Sequence, residues 1–296
     1  MRICVIFNPA ARGEKANRFR DHLAALSMQC TLKPTYAPGA ARALAAEAIG
    51  QGFDVIVAAG GDGTLNEVLN GMGDAPGGFA RARLAVLPLG TINVFAREIG
   101  MPVAFSQAWE VIQKANESVI DLPEVEFALD GQTRRRFFAQ MAGAGWDSRA
   151  IELVDWEQKK KFGALAYVAA GLKALRGRLP QIVITDGRET AAGELILIGN
   201  GRLYGGNYRL FPLADLRDGA LEASVFSKLN WQGILRGGWG LLTDQLYQVG
   251  GVRHFKAESL QLYSSSPIPF HVEGENAGHL PASFSIRRQA LRIIVP

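Results

Sequence analysis

The stretch Asp54–Gly71 reads D-V-I-V-A-A-G-G-D-G-T-L-N-E-V-L-N-G. Its first six residues form a short, mainly apolar run rich in β-branched side chains, which predicts a buried strand. Three glycines then open the backbone, and a segment with helical spacing follows them. We expect Thr64 to cap this helix while the Glu67 side chain reaches back to the cap amide. The stretch therefore predicts a strand, a glycine turn and a helix.

The glycine turn predicts a phosphate site. Backbone amides at a helix start, approached over residues without side chains, favour anionic groups, and phosphate is the usual one. Asp62 stands among these glycines, and its carboxylate would repel phosphate unless a cation or an acidic proton lies between them. Asp62 therefore implies Mg²⁺ on a nucleotide or a hydroxyl that is deprotonated for attack. The alternative is a tight turn in which Asp62 is only solvated.

Two more strands lead through glycine-containing loops into helices. The apolar strand 3–7 is followed by the loop 8–13, and the strand 84–87 is followed by P-L-G-T-I-N at residues 88–93. In an open parallel sheet such loops gather at the carboxyl edge of the strands, where ligands bind. The first part of the chain is therefore expected to be an α/β nucleotide domain.

The pattern changes at Leu122-Pro123, where alternating strands and helices give way to short strands. Residues 124–141 predict a β-hairpin that turns at Asp130-Gly131 and carries three arginines, 134–136, on its return. Two helices are expected further on, at 165–175 and 231–248. The first has basic ends and suits either an anionic lipid surface or a core helix.

Composition limits the classes of partner. The 296 residues carry a net charge of +4, which suits an anionic membrane surface or a nucleotide and is too small an excess to argue for nucleic acid. No apolar run reaches the roughly 18 residues that a membrane helix needs, and no signal peptide is expected. Cys4 and Cys30 are expected to be free thiols in a reducing cytosol. The four histidines lack the spacing of a zinc site.

The motif G-G-D-G-T-L-N-E-V-L-N-G resembles the signature of the diacylglycerol kinase catalytic family, which includes sphingosine and ceramide kinases and bacterial lipid kinases. Further motifs of that family follow in order: Asn-Pro at 8–9, P-L-G-T-I-N at 88–93, G-A-G-W-D at 143–147, a Pro-to-Leu motif at 212–221 and E-G-E at 273–275. The chain departs from the family pattern in three places: Ala11-Arg12 stand where many members have Ser, Val94 replaces the Asp of many diacylglycerol kinases, and Glu273 replaces an Asp.

The resemblance implies two domains. Residues 1–122 would form a Rossmann-like α/β nucleotide domain, similar to those of NAD kinases and diacylglycerol kinases. Residues 123–296 would form an antiparallel, β-rich sandwich domain for the lipid substrate, whose last strand is a candidate to return to the first domain. The active site would lie in the cleft between them.

The resemblance also implies the chemistry, which is transfer of the γ-phosphoryl group of ATP, with Mg²⁺, to a hydroxyl of a diacylglycerol-like or sphingoid-like lipid. The implied catalytic residues are Asp62 and Glu275, and which of them is the base stays open. The implied nucleotide contacts are Asn8, Pro9, Arg12, Gly13, Thr35, Gly60, Gly61, Gly63, Thr64, Glu67, Gly90, Thr91 and Asn93. A structural Mg²⁺ would be held by the Asp218 side chain and the carbonyls of Asp215 and Ala220.

The expected partner is a lipid at a membrane surface, with cytoplasmic location and peripheral contact at the inner face of the membrane. No nucleic acid is expected, and a homodimer stays open. Two other functions remain: an NAD kinase-like small-molecule kinase, which the later motifs fit poorly, and a non-catalytic nucleotide or lipid sensor, which the departures at Val94 and Glu273 allow.

Overall fold

The computed structural model describes residues 1–9, 11, 14–148, 181–229, 232, 236–237, 239–240, 243–245 and 251–296. Arg12 and Gly13 therefore lie outside the described residues, as do the expected helix 165–175 and most of the expected helix 231–248. Within the described ranges, no helix is both long enough and apolar enough to cross a membrane.

The first part of the chain alternates strands with helices. Its elements are β1 (Ile3–Phe7), α1 (Glu14–Asp21), α2 (Leu23–Ser27), β2 (Thr31–Pro34), α3 (Ala40–Gly50), β3 (Val55–Gly60), α4 (Asp62–Asp74), α5 (Gly78–Arg81), β4 (Arg83–Pro88), α6 (Val94–Glu98) and α7 (Phe105–Lys114). The strands β2, β1, β3 and β4 lie in that order, and every neighbouring pair is parallel. Every residue of β1 and β3 is buried, as is typical of strands covered on both faces.

The second part is built from strands. They are β5 (Glu117–Leu129), β6 (Gln132–Phe137), β7 (Met141–Gly145), β8 (Ile182–Thr185), β9 (Thr190–Gly193), β10 (Leu195–Gly199), β11 (Leu203–Tyr204), β12 (Tyr208–Arg209), β13 (Leu221–Phe226), β14 (Val252–Ala257), β15 (Ser259–Tyr263), β16 (Pro269–Val272), β17 (Glu275–His279) and β18 (Ala282–Ile294). A six-stranded antiparallel sheet runs β14-β13-β10-β7-β16-β17. The rings of Phe127, Phe270 and Phe284 join it to the larger sheet, with ring centres 5.1 and 6.0 Å apart. The expected α/β fold with a β-sandwich is confirmed.

Two long strands connect the parts. β18 is antiparallel to β5, from Ala282 opposite Phe127 to Ile294 opposite Glu117, and it is parallel to β4 through Ile293 and Leu84. One ten-stranded sheet therefore runs through both parts of the chain. The expected boundary at Leu122-Pro123 lies in the middle of β5, so the two parts share a strand at this point.

The hairpin predicted for 124–141 needs one correction. β5 and β6 pair as predicted around Asp130 and Gly131, both of which have positive φ. The returning strand ends at Phe137, however, and β7 begins at Met141 in the other sheet. The chain changes sheets at residues 138–140, and this corner has a role in the site.

The predicted capping box is wrong. α4 begins at Asp62, with Gly61 as its N-cap and no side chain capping it, so Thr64 lies inside the first turn. The Glu67 carboxylate instead accepts hydrogen bonds from the backbone N–H groups of Gly39 (2.9 Å) and Ala41 (3.0 Å), at the start of α3. The Glu67 carboxylate thus pairs with free backbone N–H groups at a helix start, as a capping side chain does, but those groups belong to the neighbouring helix α3.

Candidate active site

Four parallel strands end at one level, and the predicted nucleotide loops follow them. Phe7 lies opposite Pro34 and Ala59, and Gly60 lies opposite Pro88. The Thr35 N–H donates to the Phe7 carbonyl over 2.8 Å. The strand ends therefore place Asn8-Pro9, Thr35 and the two glycine loops along one sheet edge, where an open α/β sheet binds its ligands.

The two glycine loops touch through their backbones. A Cβ atom on Gly90 would lie 2.5 Å from the Gly61 Cα, and one on Gly60 would overlap the Thr64 Oγ1. The N–H groups of Leu89 and Gly90 both donate to the Gly60 carbonyl, over 3.0 and 3.2 Å. The contact between the loops therefore requires glycine at position 90, which sequence reasoning had not considered, whereas Gly60 leaves room for the Thr64 side chain of its own loop.

Asn93 fixes the shape of the second loop. It is buried, with a positive φ of 54°. Its Nδ2 donates to the Gly90 carbonyl over 2.7 Å, and its Oδ1 accepts from the Gly90 N–H over 3.0 Å. Asparagine tolerates this backbone conformation better than most residues. The side chain of Asn93 therefore closes the loop on itself, and Thr91 stays exposed at its tip.

The Asp62 carboxyl lies between the first loop and the start of α6. Burial raises its pKa, and the backbone N–H groups of Val94, Phe95 and Asn93 oppose that rise by stabilising the ionised form. A carboxylate at the first turn of a helix also interacts favourably with the helix dipole. Asp62 thus links the two loops by its charge, and the net effect still raises its pKa.

Glu273 occupies the turn between β16 and β17, with a φ of 52°. Its Oε1 accepts hydrogen bonds from the N–H groups of Ala139 (2.8 Å) and Gln140 (2.7 Å), at the corner where the chain changes sheets. Burial raises the pKa of Glu273 to about 8, and the negative charge of Asp62 contributes to the rise. The carboxyls of Glu273 and Asp62 are therefore close enough to repel each other.

Glu275 reaches the glycine turn from the other part of the chain. Its Oε1 lies 2.8 Å from the position that a Cβ atom on Gly63 would take. Gly63 directly follows Asp62, so acids from both parts of the chain meet at one place. The sequence had left open whether Glu273 and Glu275 point the same way. Glu273 and Gly274 both take positive φ, so simple strand alternation does not continue through the turn, and each carboxylate has its own contact: Glu273 with the amides at 139 and 140, and Glu275 with Gly63.

Arg136, the last of the three arginines on the returning strand of the hairpin, was not expected in the site. Burial lowers the pKa of this half-buried guanidinium, while the charge of Glu275 raises it. On the opposite face of β6, Arg135 pairs with Glu126 (2.5 Å) and Glu124 (3.3 Å). A run of three arginines suits a solvated strand face or contact with a lipid headgroup; in the structure Arg134 and Arg135 are exposed, whereas Arg136 is half-buried and interacts with Glu275.

In the loop predicted to hold Mg²⁺, the Asp218 carboxylate pairs with the side chain of Lys256. Asp218 Oδ2 lies 2.7 Å from Lys256 Nζ, and Asp218 Oδ1 accepts from the Ala220 N–H over 3.0 Å. The Asp215 carbonyl accepts the Asp218 N–H over 3.3 Å. An ammonium group at the same oxygen would repel Mg²⁺, so this arrangement does not fit the ion. Mg²⁺ on Asp218 stays a prediction that requires Lys256 to move.

Comparisons with known proteins show the family to which the chain belongs. Residues 2–125 match the family model of the diacylglycerol kinase catalytic domain, and residues 140–295 match that of the YegS C-terminal NAD kinase beta sandwich-like domain. A diacylglycerol kinase of Bacillus subtilis is 30% identical over 303 residues, which cover 99% of this chain and 95% of that protein. The chain belongs to the diacylglycerol kinase catalytic family.

Two other relatives add to this assignment. A probable YegS-like lipid kinase of Stenotrophomonas maltophilia is 32% identical over 265 residues, covering 86% of this chain and 82% of that protein. The crystal structure of a putative diacylglycerol kinase from Bacillus anthracis superimposes with a TM-score of 0.81 at 23% identity, covering 100% of this chain and 95% of that one. The first similarity supports a lipid kinase family, and the second shows the fold.

Proposed function

We propose that this lipid kinase family member transfers the γ-phosphoryl group of ATP to a hydroxyl of a lipid. The observation that supports it most is the contact of the Glu275 carboxylate with Gly63, next to Asp62. Phosphoryl transfer depends mainly on positioning and on neutralising charge. A glycine turn with helix-start amides and acids from both parts of the chain supplies both.

The chain's own groups would act as follows. Backbone N–H groups around Gly60–Thr64 bind the phosphates, and the loop closed by Asn93 forms the neighbouring wall. One carboxylate, of Asp62 or Glu275, takes the proton of the lipid hydroxyl. The lipid oxygen then forms a bond to the γ-phosphorus as the bond from that phosphorus to the β-phosphate oxygen breaks, and ADP leaves.

Mg²⁺ would enter this site with the phosphates of ATP. Among the described residues, no three acidic, histidine or cysteine side chains are arranged to hold a metal ion by themselves. Asp62 is the carboxyl that would approach the ion from the first loop, since carboxylate oxygens are the ligands that Mg²⁺ prefers. When bound with ATP, the ion would neutralise phosphate charge.

The acceptor is proposed to be a lipid because the relatives are named as lipid and diacylglycerol kinases. Labelled ATP and Mg²⁺ should be incubated with vesicles of diacylglycerol, monoacylglycerol, phosphatidylglycerol, sphingosine or ceramide, and with NAD in a separate reaction. Label in one lipid is the expected result. Label in NAD alone, or ATP binding without turnover on any acceptor, would contradict the proposal.

Two variants test the roles of the acids. Asp62→Asn and Glu275→Gln should each lower kcat at least a hundredfold. In the base variant an uncharged amide cannot accept the proton, and the other variant loses a charge that positions the phosphates and their cation. The variant that loses kcat while the Kd for ATP is unchanged identifies the base. Glu258→Gln, an exposed carboxyl in another region, is the matched control. Wild-type rates in both site variants would refute the mechanism.

A further inference from the structure

A buried acid–imidazole pair lies beneath the turn that carries Glu275. Asp147 Oδ2 is 2.6 Å from His271 Nε2, and the two residues are 8% and 2% exposed. A Cβ atom on Gly143 would lie 2.6 Å from each of these two atoms. The glycine at 143 is therefore required by the pair, and the sequence, which gave His271 no partner, did not reveal it.

The hydrogen bonds set the tautomer of the imidazole. The Gly274 N–H donates to His271 Nδ1 over 3.4 Å, so Nδ1 must lack a proton. The proton of a neutral ring then sits on Nε2 and is donated to Asp147. The Ser148 N–H donates to the other carboxylate oxygen, Oδ1, over 2.7 Å, and the Ser148 hydroxyl lies 3.3 Å from it. Asp147 thus keeps the ring in the one form that can accept from Gly274.

The turn has a second attachment. The Glu273 carboxylate is held by the amides at 139 and 140, and the Glu273 N–H donates to the Met141 carbonyl over 2.9 Å. His271 is the side chain that reaches Gly274, the residue directly before Glu275. Loss of this hydrogen bond would leave Gly274, and with it the direction of the Glu275 side chain, less restrained.

We propose that Asp147 and His271 are positioning residues for phosphoryl transfer: they orient the 273–274 turn so that the Glu275 carboxylate rests against Gly63. The inference rests on the proposed function in so far as Glu275 takes part in turnover. Misplacing a reacting group by about 1 Å can cost up to a hundredfold in rate, so a partial loosening predicts about a tenfold loss.

The tautomer is measured on the full-length chain with ¹⁵N-labelled histidine. Two-bond ¹H–¹⁵N correlation spectra at pH 7.5 distinguish Nε2–H from Nδ1–H rings, and a His279→Gln spectrum assists assignment among the four histidines. We expect His271 to be Nε2–H in the wild type. Asp147→Ala should shift it toward Nδ1–H, because Nε2–H then lacks its acceptor.

Kinetics of two Asp147 variants test the consequence. Asp147→Ala should lower kcat about tenfold with the KM for ATP within twofold of wild type. Asp147→Asn should keep the Nε2–H tautomer and most of kcat, because its amide oxygen still accepts from the ring. If Asp147 had only a structural role, kcat in the two variants would follow their stability and not the tautomer of His271. Thermal midpoints of both variants are therefore measured as well.

A wild-type His271 found as Nδ1–H would overturn the inference, and that measurement needs no variant to fold. A shifted tautomer in Asp147→Ala with unchanged kcat would also overturn it. If the wild-type chain phosphorylates no lipid, the proposed function fails, while the imidazole spectrum still tests the hydrogen bond to Gly274.

Discussion

Replacing Glu222 by Gln should raise the free energy of unfolding at neutral and alkaline pH, because it removes a buried carboxyl that ionises there. Glu222 lies in β13 and is 1% exposed. Its Oε2 accepts from the Leu213 N–H over 3.0 Å, and its Oε1 has no hydrogen-bond partner within the described ranges. Burial raises its pKa to about 7, which the charge of Lys256 opposes and that of Asp218 favours.

The sign and the size follow from linkage. A carboxyl whose pKa is higher in the folded state does not lower the free energy of unfolding below about pH 4.5, where it is protonated in both states. Its unfavourable contribution grows as pH rises and reaches its full size above about pH 7. A shift from 4.5 to about 7 corresponds to about 3 kcal/mol, at about 1.4 kcal/mol per pH unit. Glutamine keeps the shape and the acceptor for the Leu213 amide but cannot ionise.

The assay is urea unfolding followed by tryptophan fluorescence at pH 5, 6, 7 and 8 in EDTA. The Gln variant should be close to wild type at pH 5 and gain about 2 to 3 kcal/mol on it by pH 8. Glu258→Gln, an exposed carboxyl, should show no such trend. An equal difference at pH 5 and pH 8 would refute the reasoning.

The same experiment with added Mg²⁺ tests the Asp218 loop. A cation bound beside Asp218 would stabilise the ionised form of Glu222, so the gain of the Gln variant at pH 8 would shrink. If Lys256 keeps its place on Asp218, Mg²⁺ should leave that gain unchanged.

Two further changes test contacts described above. Glu67→Ala should lower the free energy of unfolding by about 2 kcal/mol, because it leaves the Gly39 and Ala41 amides at the start of α3 without their acceptor; a loss below about 0.5 kcal/mol in urea unfolding would contradict this. Arg136→Met should lower kcat about fivefold, since it removes a half-buried positive charge that interacts with Glu275, whereas Arg134→Met, at an exposed position of the same strand, should keep kcat; equal rates in both would contradict this.

Much of the nucleotide half could be predicted from the sequence. Apolar runs with β-branched residues gave β1, β3 and β4, and the glycines after them marked the loops, because these signals are local. The cap of α4 was wrong for a physical reason. The Glu67 carboxylate can accept hydrogen bonds from the N–H groups at the start of any helix within reach. The spacing between Thr64 and Glu67 in the sequence does not reveal that the start of α3 lies within reach in the folded chain.

The acids of the site show the limit more clearly. The motif at 273–275 indicated functional carboxylates, but their directions depend on two consecutive positive φ values and on the amides at 139 and 140. Those amides are available only because the chain changes sheets after Phe137. The hydrogen-bond partners of Glu273 lie 134 and 133 residues away in the sequence, so no local pattern could predict them.

The sequence by itself determined the family and the α/β and β-sandwich classes, and it indicated the candidate acids, because short-range patterns and motifs carry that information. Only the tertiary structure decided that Gly61 and Gly90 touch, that Glu275 rests on Gly63, and that Asp147 holds His271. Each of these is a contact between segments far apart in the chain, and such contacts form only when the sheets pack.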